Sequence, residues 1–147
     1  MEDSTQSEPR EAEASLDGFV VTDAKTANRL LREQSIGIIG LAGGAGGAPE
    51  QRPVNYAVYR SWILMRTDRG ILFEAARAGN AASLAVTSFD PESRTAWSVI
   101  VKGRLEIGDP GIDASQLAVW AHTGKAERIR LSIDEISGRH LIERKHD

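Results

Sequence analysis

The clearest alternation of apolar and polar positions runs from Ala96 to Glu106, AWSVIVKGRLE. Read with period two, it sets Trp97, Val99, Val101 and Leu105 on one face and Ser98, Ile100, Lys102, Arg104 and Glu106 on the other. That is the pattern of a long, half-buried strand. Gly103 interrupts it, and barrels use such glycines to turn corners.

Shorter stretches repeat the pattern. Ser35 to Ala42 is apolar and β-branched, and a glycine-rich run then leads to RPVNYAVYR. There Val54, Tyr56 and Val58 oppose Asn55, Ala57 and Tyr59. Ser61 to Thr67 alternates Trp62, Leu64 and Arg66 against Ile63, Met65 and Thr67, and the short polar break before it predicts antiparallel neighbours. Thr67 to Gly70 makes a tight turn, after which Ile71 to Ala75 reads as a strand and Ala75 to Ala82 as a helical turn broken at Gly79. Ser83 to Phe89 is a further strand, and Ile129, Leu131 and Ile133 begin a closing pair that runs through Ile136 to Ile142. Only two segments read as helices. Thr22 or Asp23 caps one with a stripe of Ala27, Leu30 and Leu31, and the other runs from about Asp113 to His122 with Leu117, Trp120 and Ala121. Six or seven short strands, two helices and no strand–helix–strand alternation predict an antiparallel barrel or sandwich and argue against a doubly wound sheet.

The length of 147 residues suits one domain. Met1 to Ser15 is acidic with almost nothing to bury and reads as a disordered tail, leaving residues 16–147 as the folded domain. That start also lacks the basic, apolar character of a signal or transit peptide. The formal net charge of -3 gives no basic field for nucleic acid or an anionic membrane. The absence of cysteine removes disulfides, thiolate metal sites and thiol nucleophiles, and makes a reducing cytoplasm the simplest compartment.

The glycines between Gly40 and Gly47 match neither the dinucleotide fingerprint nor a P-loop, and Pro49 and Pro53 block the helix that both need, so a hairpin connection is expected. The three histidines lack the spacing of a helical zinc motif, no metal site is expected, and no serine sits in a nucleophile elbow. The residues offer no self-contained catalytic set, which leaves the hard chemistry of any enzyme to an organic cofactor. Arg66, on a face shared with Trp62 and Leu64, either finds a carboxylate or a ligand anion there or, at the strand end, bends into water.

Several pieces, in order, resemble the pyridoxamine 5′-phosphate oxidase-like, flavin-binding split-barrel family: TANRLLREQSIGIIGLA, PVNYAV, ILMRTDRG, AWSVIVKGRLE and EISGRHL. Together they cover nearly everything after the tail, and they are most similar to the short, single-domain, oxidase-related branch. The resemblance implies a mainly β fold, a six-stranded antiparallel split barrel of Greek-key type with flanking helices. It also implies a homodimer with FMN in grooves at the interface and a small-molecule substrate. Arg66 and Thr67 would then hold the phosphate, and Pro53, Val54 and Asn55 would line the isoalloxazine ring. Trp97 and Ser98 would reach it from across the interface, and Arg139 would meet the ring edge or the phosphate. Where many relatives carry a lysine after the glycine turn, this chain has Ile71 and Leu72, and its loop from Gly43 to Gln51 is longer and richer in glycine. The function so implied is a flavin-dependent oxidoreductase. The alternatives are a split barrel that stores or senses flavin or haem without catalysis, and a reductase using a deazaflavin.

Overall fold

Alternation along the strands does most of the folding work. The computed structural model of the protein describes residues 18–108 and 127–141, so the tail, the helix expected at Asp113 to His122 and the last residues from Ile142 lie outside it. Eight strands are present there: β1 (Phe19–Thr22), β2 (Ile36–Leu41), β3 (Glu50–Tyr59), β4 (Trp62–Thr67), β5 (Ala81–Asp90), β6 (Thr95–Ile107), β7 (Glu127–Ser132) and β8 (Glu135–Leu141). Two helices join them, α1 (Ala24–Glu33) and α2 (Ile71–Ala78). Among the described residues no helix is long and apolar enough to cross a membrane.

Six strands close into an antiparallel barrel. The order β6-β5-β2-β3-β4-β7 returns to its start because β7 also pairs with β6. Within it β2, β3 and β4 are successive neighbours, and β5 comes back to lie beside β2, so the spatial order β5-β2-β3-β4 is a Greek key. The return path is α2. The glycine-rich run is the β2–β3 hairpin connection, with Leu41 opposite Glu50.

Strand β6 belongs to two surfaces. Its first part, Ala96 to Lys102, pairs with β8, and its last residues, Leu105 to Ile107, pair with β7. Gly103 stands at the hand-over, where a Cβ would lie 1.7 Å from the Ser132 carbonyl oxygen. Only a residue without a side chain lets β7 end against β6. Beyond the barrel, β8 and then β1 extend the sheet from the outer edge of β6.

The inward positions form one core. Ile39, Val54, Tyr56, Ile63, Met65, Leu84, Val86, Val99, Val101, Leu105, Ile129 and Leu131 are buried together. Helix α1 adds Ala27 and Leu31 to that core, and Asp23 caps it by accepting from the Thr26 N–H at 2.7 Å. This hydrogen bond holds the Asp23 carboxyl below its ordinary value of 3.8. From the inner face of β3 the Tyr56 hydroxyl donates to the Leu31 carbonyl at 2.6 Å, and burial pushes its pKa up to about 12.

Two expectations need correction. Ile71 to Ala75 is not a strand but the start of α2, whose buried Leu72, Phe73, Ala75 and Ala76 follow helical spacing. Gly79 ends that helix in the left-handed region at φ 69°, and the Gly79 and Asn80 N–H groups close it. The strand count is eight rather than six or seven, because Phe19 to Thr22 forms β1 on the edge of β8.

Candidate functional site

The β3–β4 ladder opens at one end. Pairing runs from Tyr59 with Trp62 to Tyr56 with Met65 and stops, although both strands continue past it. Where they part, a cleft of about 260 Å³ lies between Arg52, Pro53 and Val54 on one lip and Arg66, Thr67 and Asp68 on the other. Because β4 is no longer a partner there, a proline without an N–H is accommodated at Pro53.

The floor of the cleft is the first turn of α2. Ile71 and Leu72 line it, and Gly70 at the N-cap supplies no side-chain cap to the first-turn N–H groups. Such an end carries positive partial charge and free donors. Arg66 is half-buried with its Nε out of solvent, and Thr67 is buried. Arg52 and Arg66 set two guanidinium groups against one carboxylate, Asp68. The cleft is therefore built for an anion with several oxygens.

The other expected residues divide by face. Val54 and Tyr56 point inward, so Pro53 and Asn55 point out, and the Asn55 amide donates to the Ser35 carbonyl at 2.9 Å. Across the sheet Pro53 pairs with Ile38, Ile38 with Ala85 and Ala85 with Ile100, which makes an apolar row on the outer surface. Ile36 and Ile38 are 39% and 40% exposed on it. Ser98 and Arg139 are partners on the same outer surface.

Trp97 is not on that surface. It lies on the inner face between Ser88 and His140 and packs against the core. A pocket of about 620 Å³ between α1 and the far end of the β5–β6 hairpin holds Trp97 and His140, with Thr22 Oγ1 2.8 Å from His140 Nδ1. None of Pro53, Val54, Arg66 or Thr67 lines it. One chain thus gathers Pro53, Val54, Arg66 and Thr67 at the cleft, extends them with Asn55, and holds Ser98 and Arg139 farther across the same face. The side chains of Trp97 and Ser98 point to opposite sides and cannot meet one ligand from the same side.

Arg52, Asp68 and the start of α2 were missed from sequence. Arg52 had a signal, since it directly precedes Pro53 in a segment already assigned to the site. The helix start had none once Ile71 to Ala75 was read as a strand.

Comparison with known proteins reaches the same architecture. Residues 23–140 match the model of a family described as pyridoxamine 5′-phosphate oxidase. No curated protein matches the sequence. Among solved structures, the FAD-binding protein from Mycobacterium smegmatis aligns with a TM-score of 0.68 at 23% identity, covering 82% of this chain and 97% of its own. A FAD-binding protein from Mesorhizobium loti aligns with a TM-score of 0.68 at 22% identity over 84% of this chain and 98% of its own. The FAD and heme binding protein from Mycobacterium smegmatis aligns at 0.61 and 16% identity over 88% of this chain and 76% of its own. At these identities the likeness is one of fold.

Proposed function

This chain belongs to the pyridoxamine 5′-phosphate oxidase family, and from that premise we propose that it binds a flavin through its phosphate in the β3–β4 cleft and uses it to oxidise or reduce a small molecule. The observation that carries the reading is the cleft itself. A half-buried arginine, a buried threonine and an α-helix start without a side-chain cap converge on one small space. The missing lysine is no obstacle, since Ile71 and Leu72 offer main-chain N–H groups where a lysine would offer an ammonium. The solved relatives named for binding FAD support a flavin as the ligand.

The cleft is too small for a whole flavin mononucleotide. Pockets for ligands of that size run to about 300–1,000 Å³, against about 260 Å³ here. It takes the phosphate, and the ring then follows Pro53 and Asn55 onto the apolar outer row. That surface needs a cover, because exposed Ile36 and Ile38 beside a stacked ring would leave a large apolar area in water. The cover is the same surface of a second copy, in a symmetric homodimer that brings Ser98 and Arg139 of the second copy towards the ring. At the β4–β7 end of the outer surface the charges are matched within the chain. Arg130 pairs with Glu106 at 2.9 Å and lies over Trp62 at 4.1 Å.

When bound, a flavin supplies reversible hydride transfer at its ring. The work of this chain is to fix and shield it. Arg66 gives the phosphate a planar fork, Thr67 a hydroxyl and α2 its first N–H groups. Pro53 and Asn55 set the direction of the ring, and the apposed faces exclude water.

Titrating the apoprotein with FMN and with riboflavin tests the phosphate contact. Arg66→Ala should weaken FMN by roughly 1.5–3 kcal/mol, about tenfold to hundredfold, and leave riboflavin unchanged. Arg66→Lys should recover part of the loss. FMN binding to Arg66→Ala as tight as to wild type would remove the phosphate from this cleft.

A further inference from the structure

The pocket of about 620 Å³ beside α1 is built from two walls. One wall is sheet. His140 on β8, Trp97 on β6 and Ser88 on β5 form a paired row across it, and Asp90 and Thr95, paired two positions nearer the hairpin end, share that face. The other wall is the start of α1, where Asp23, Thr26 and Leu30 follow one another at helical spacing.

Depth divides its chemistry. Trp97, Leu30 and His140 are half-buried, and Trp97 and Leu30 pack against the core, so the inner part offers a flat apolar surface. Asp23 and Asp90 are exposed at its edge. Each carboxylate has one oxygen engaged, Asp23 Oδ1 by the Thr26 N–H at 2.7 Å and Asp90 Oδ1 by the Glu92 N–H at 3.0 Å. Neither acid has an ion-pair partner among the described residues. The bond from Thr26, helped by the charges of Lys25 and Arg29, holds Asp23 in its ionised form at neutral pH.

The sign of the charge sets this pocket apart. The β3–β4 cleft is lined by Arg52 and Arg66, and a pocket on the other side of the α2 start by Arg69 and Arg104. No lysine or arginine lines the pocket beside α1. An anion would meet two carboxylates there and no cation to offset them. An apolar interior edged by two such acids suits a molecule with an apolar body and a positive head, whose head stays at the wet edge and loses little of its hydration.

We propose that this pocket binds a protonated organic amine with an aromatic or alkyl body, Trp97 and Leu30 taking the body and Asp23 and Asp90 the ammonium. The volume falls within the range of about 300–1,000 Å³ for small-molecule sites. The site shares no residue with the β3–β4 cleft and does not depend on the flavin reading.

Calorimetric titration of the full chain with phenylbutylamine, phenylbutanol and phenylbutyrate at neutral pH tests it, since one body then carries a positive, a neutral and a negative head. The amine should bind about tenfold more tightly than the alcohol, the size expected for two exposed charge contacts, and the carboxylate more weakly than both. Asp23→Asn and Asp90→Asn should each weaken the amine about threefold and leave the alcohol unchanged, and the double variant should erase the preference. Asparagine still caps a helix and still accepts from a backbone N–H, so melting curves should stay near wild type. Should one variant misfold, the other still reads the pocket. Trp97→Phe should weaken amine and alcohol alike. Glu33→Gln, on α1 but outside the pocket, should bind the amine as wild type does. Alcohol or carboxylate bound as tightly as the amine, amine affinity unchanged in both Asn variants, or no binding of any of the three overturns the amine site. So does a loss in Glu33→Gln equal to that in Asp23→Asn, which would assign the preference to the overall negative charge of the chain. Each of these results leaves the FMN titration, and with it the phosphate cleft, untouched.

Discussion

Trp97 and Ser98 follow one another on β6 and serve opposite surfaces. On the inner side Trp97 packs against the core that Val99, Val101 and Leu105 form with Ala27 and Leu31 of α1. On the outer side Ser98 and Ile100 look onto a surface where Ile36 and Ile38 stay about two-fifths exposed. Both faces alternate with the same period, yet Val99, Val101 and Leu105 are fully buried on one while Ile36 and Ile38 stay exposed on the other. The difference teaches that strand periodicity reports which residues share a face, while what covers the face is a separate fact.

The largest contrast should come from two glycines. Gly103→Ala on the inner face drives a Cβ into the Ser132 carbonyl, a backbone atom fixed by the barrel closure, so little or no folded protein is expected by circular dichroism. Gly40→Ala on the outer side meets the movable Ser83 hydroxyl at 3.1 Å and the Ser83 carbonyl oxygen no nearer than 4.0 Å, and should melt near wild type. A mild Gly103→Ala would show that the β6–β7 closure is softer than the register implies.

Next come two apolar residues. Leu105→Ala empties a fully buried position and should cost about 2–5 kcal/mol in denaturant unfolding. Ile38→Glu should leave the barrel spectrum intact and shift sedimentation from dimer to monomer, since the charge falls in the proposed interface. An Ile38→Glu protein that stays dimeric would move the interface elsewhere.

The smallest effect falls at Tyr56. Tyr56→Phe keeps the ring and removes the bond to the Leu31 carbonyl, for a loss of about 1 kcal/mol. The wild-type pH dependence has a definite sign. The folded pKa of about 12 lies above the ordinary tyrosine value of 10.0, so the stability Tyr56 contributes is complete below pH 10 and is lost as pH rises towards 12. Tyr56→Phe should flatten the alkaline limb of the stability curve.

Much of the fold was legible for one reason. β2, β3, β4, β5 and β6 each place apolar side chains at every second position over several residues, which is a signal local to the strand. Two elements lacked such a signal. In α2 the run Ile71, Leu72, Phe73 is apolar without a period, and the helix declares itself only through Glu74 to Ala78 and the terminating Gly79. β1 is four residues long, and its partner β8 is far along the chain, so no window contained the reason for it. For the candidate site, Arg66 and Thr67 could be placed at a strand end from the turn that follows them. That the β3–β4 ladder stops at Tyr56 could not, because the alternation continues along both strands past the last pair.

The pairing of β1 with β8 bears on how the protein is made. Thr22 and His140, joined at 2.8 Å, are 118 positions apart in sequence. During synthesis β1 emerges before the other described strands, and its partner β8 comes only after the rest of them. β6 likewise waits for β7 before its corner at Gly103 can form. A barrel whose last strands complete both its closure and its flap acquires these edges only once β7 and β8 have been made. Until then β1 stays open to other partners.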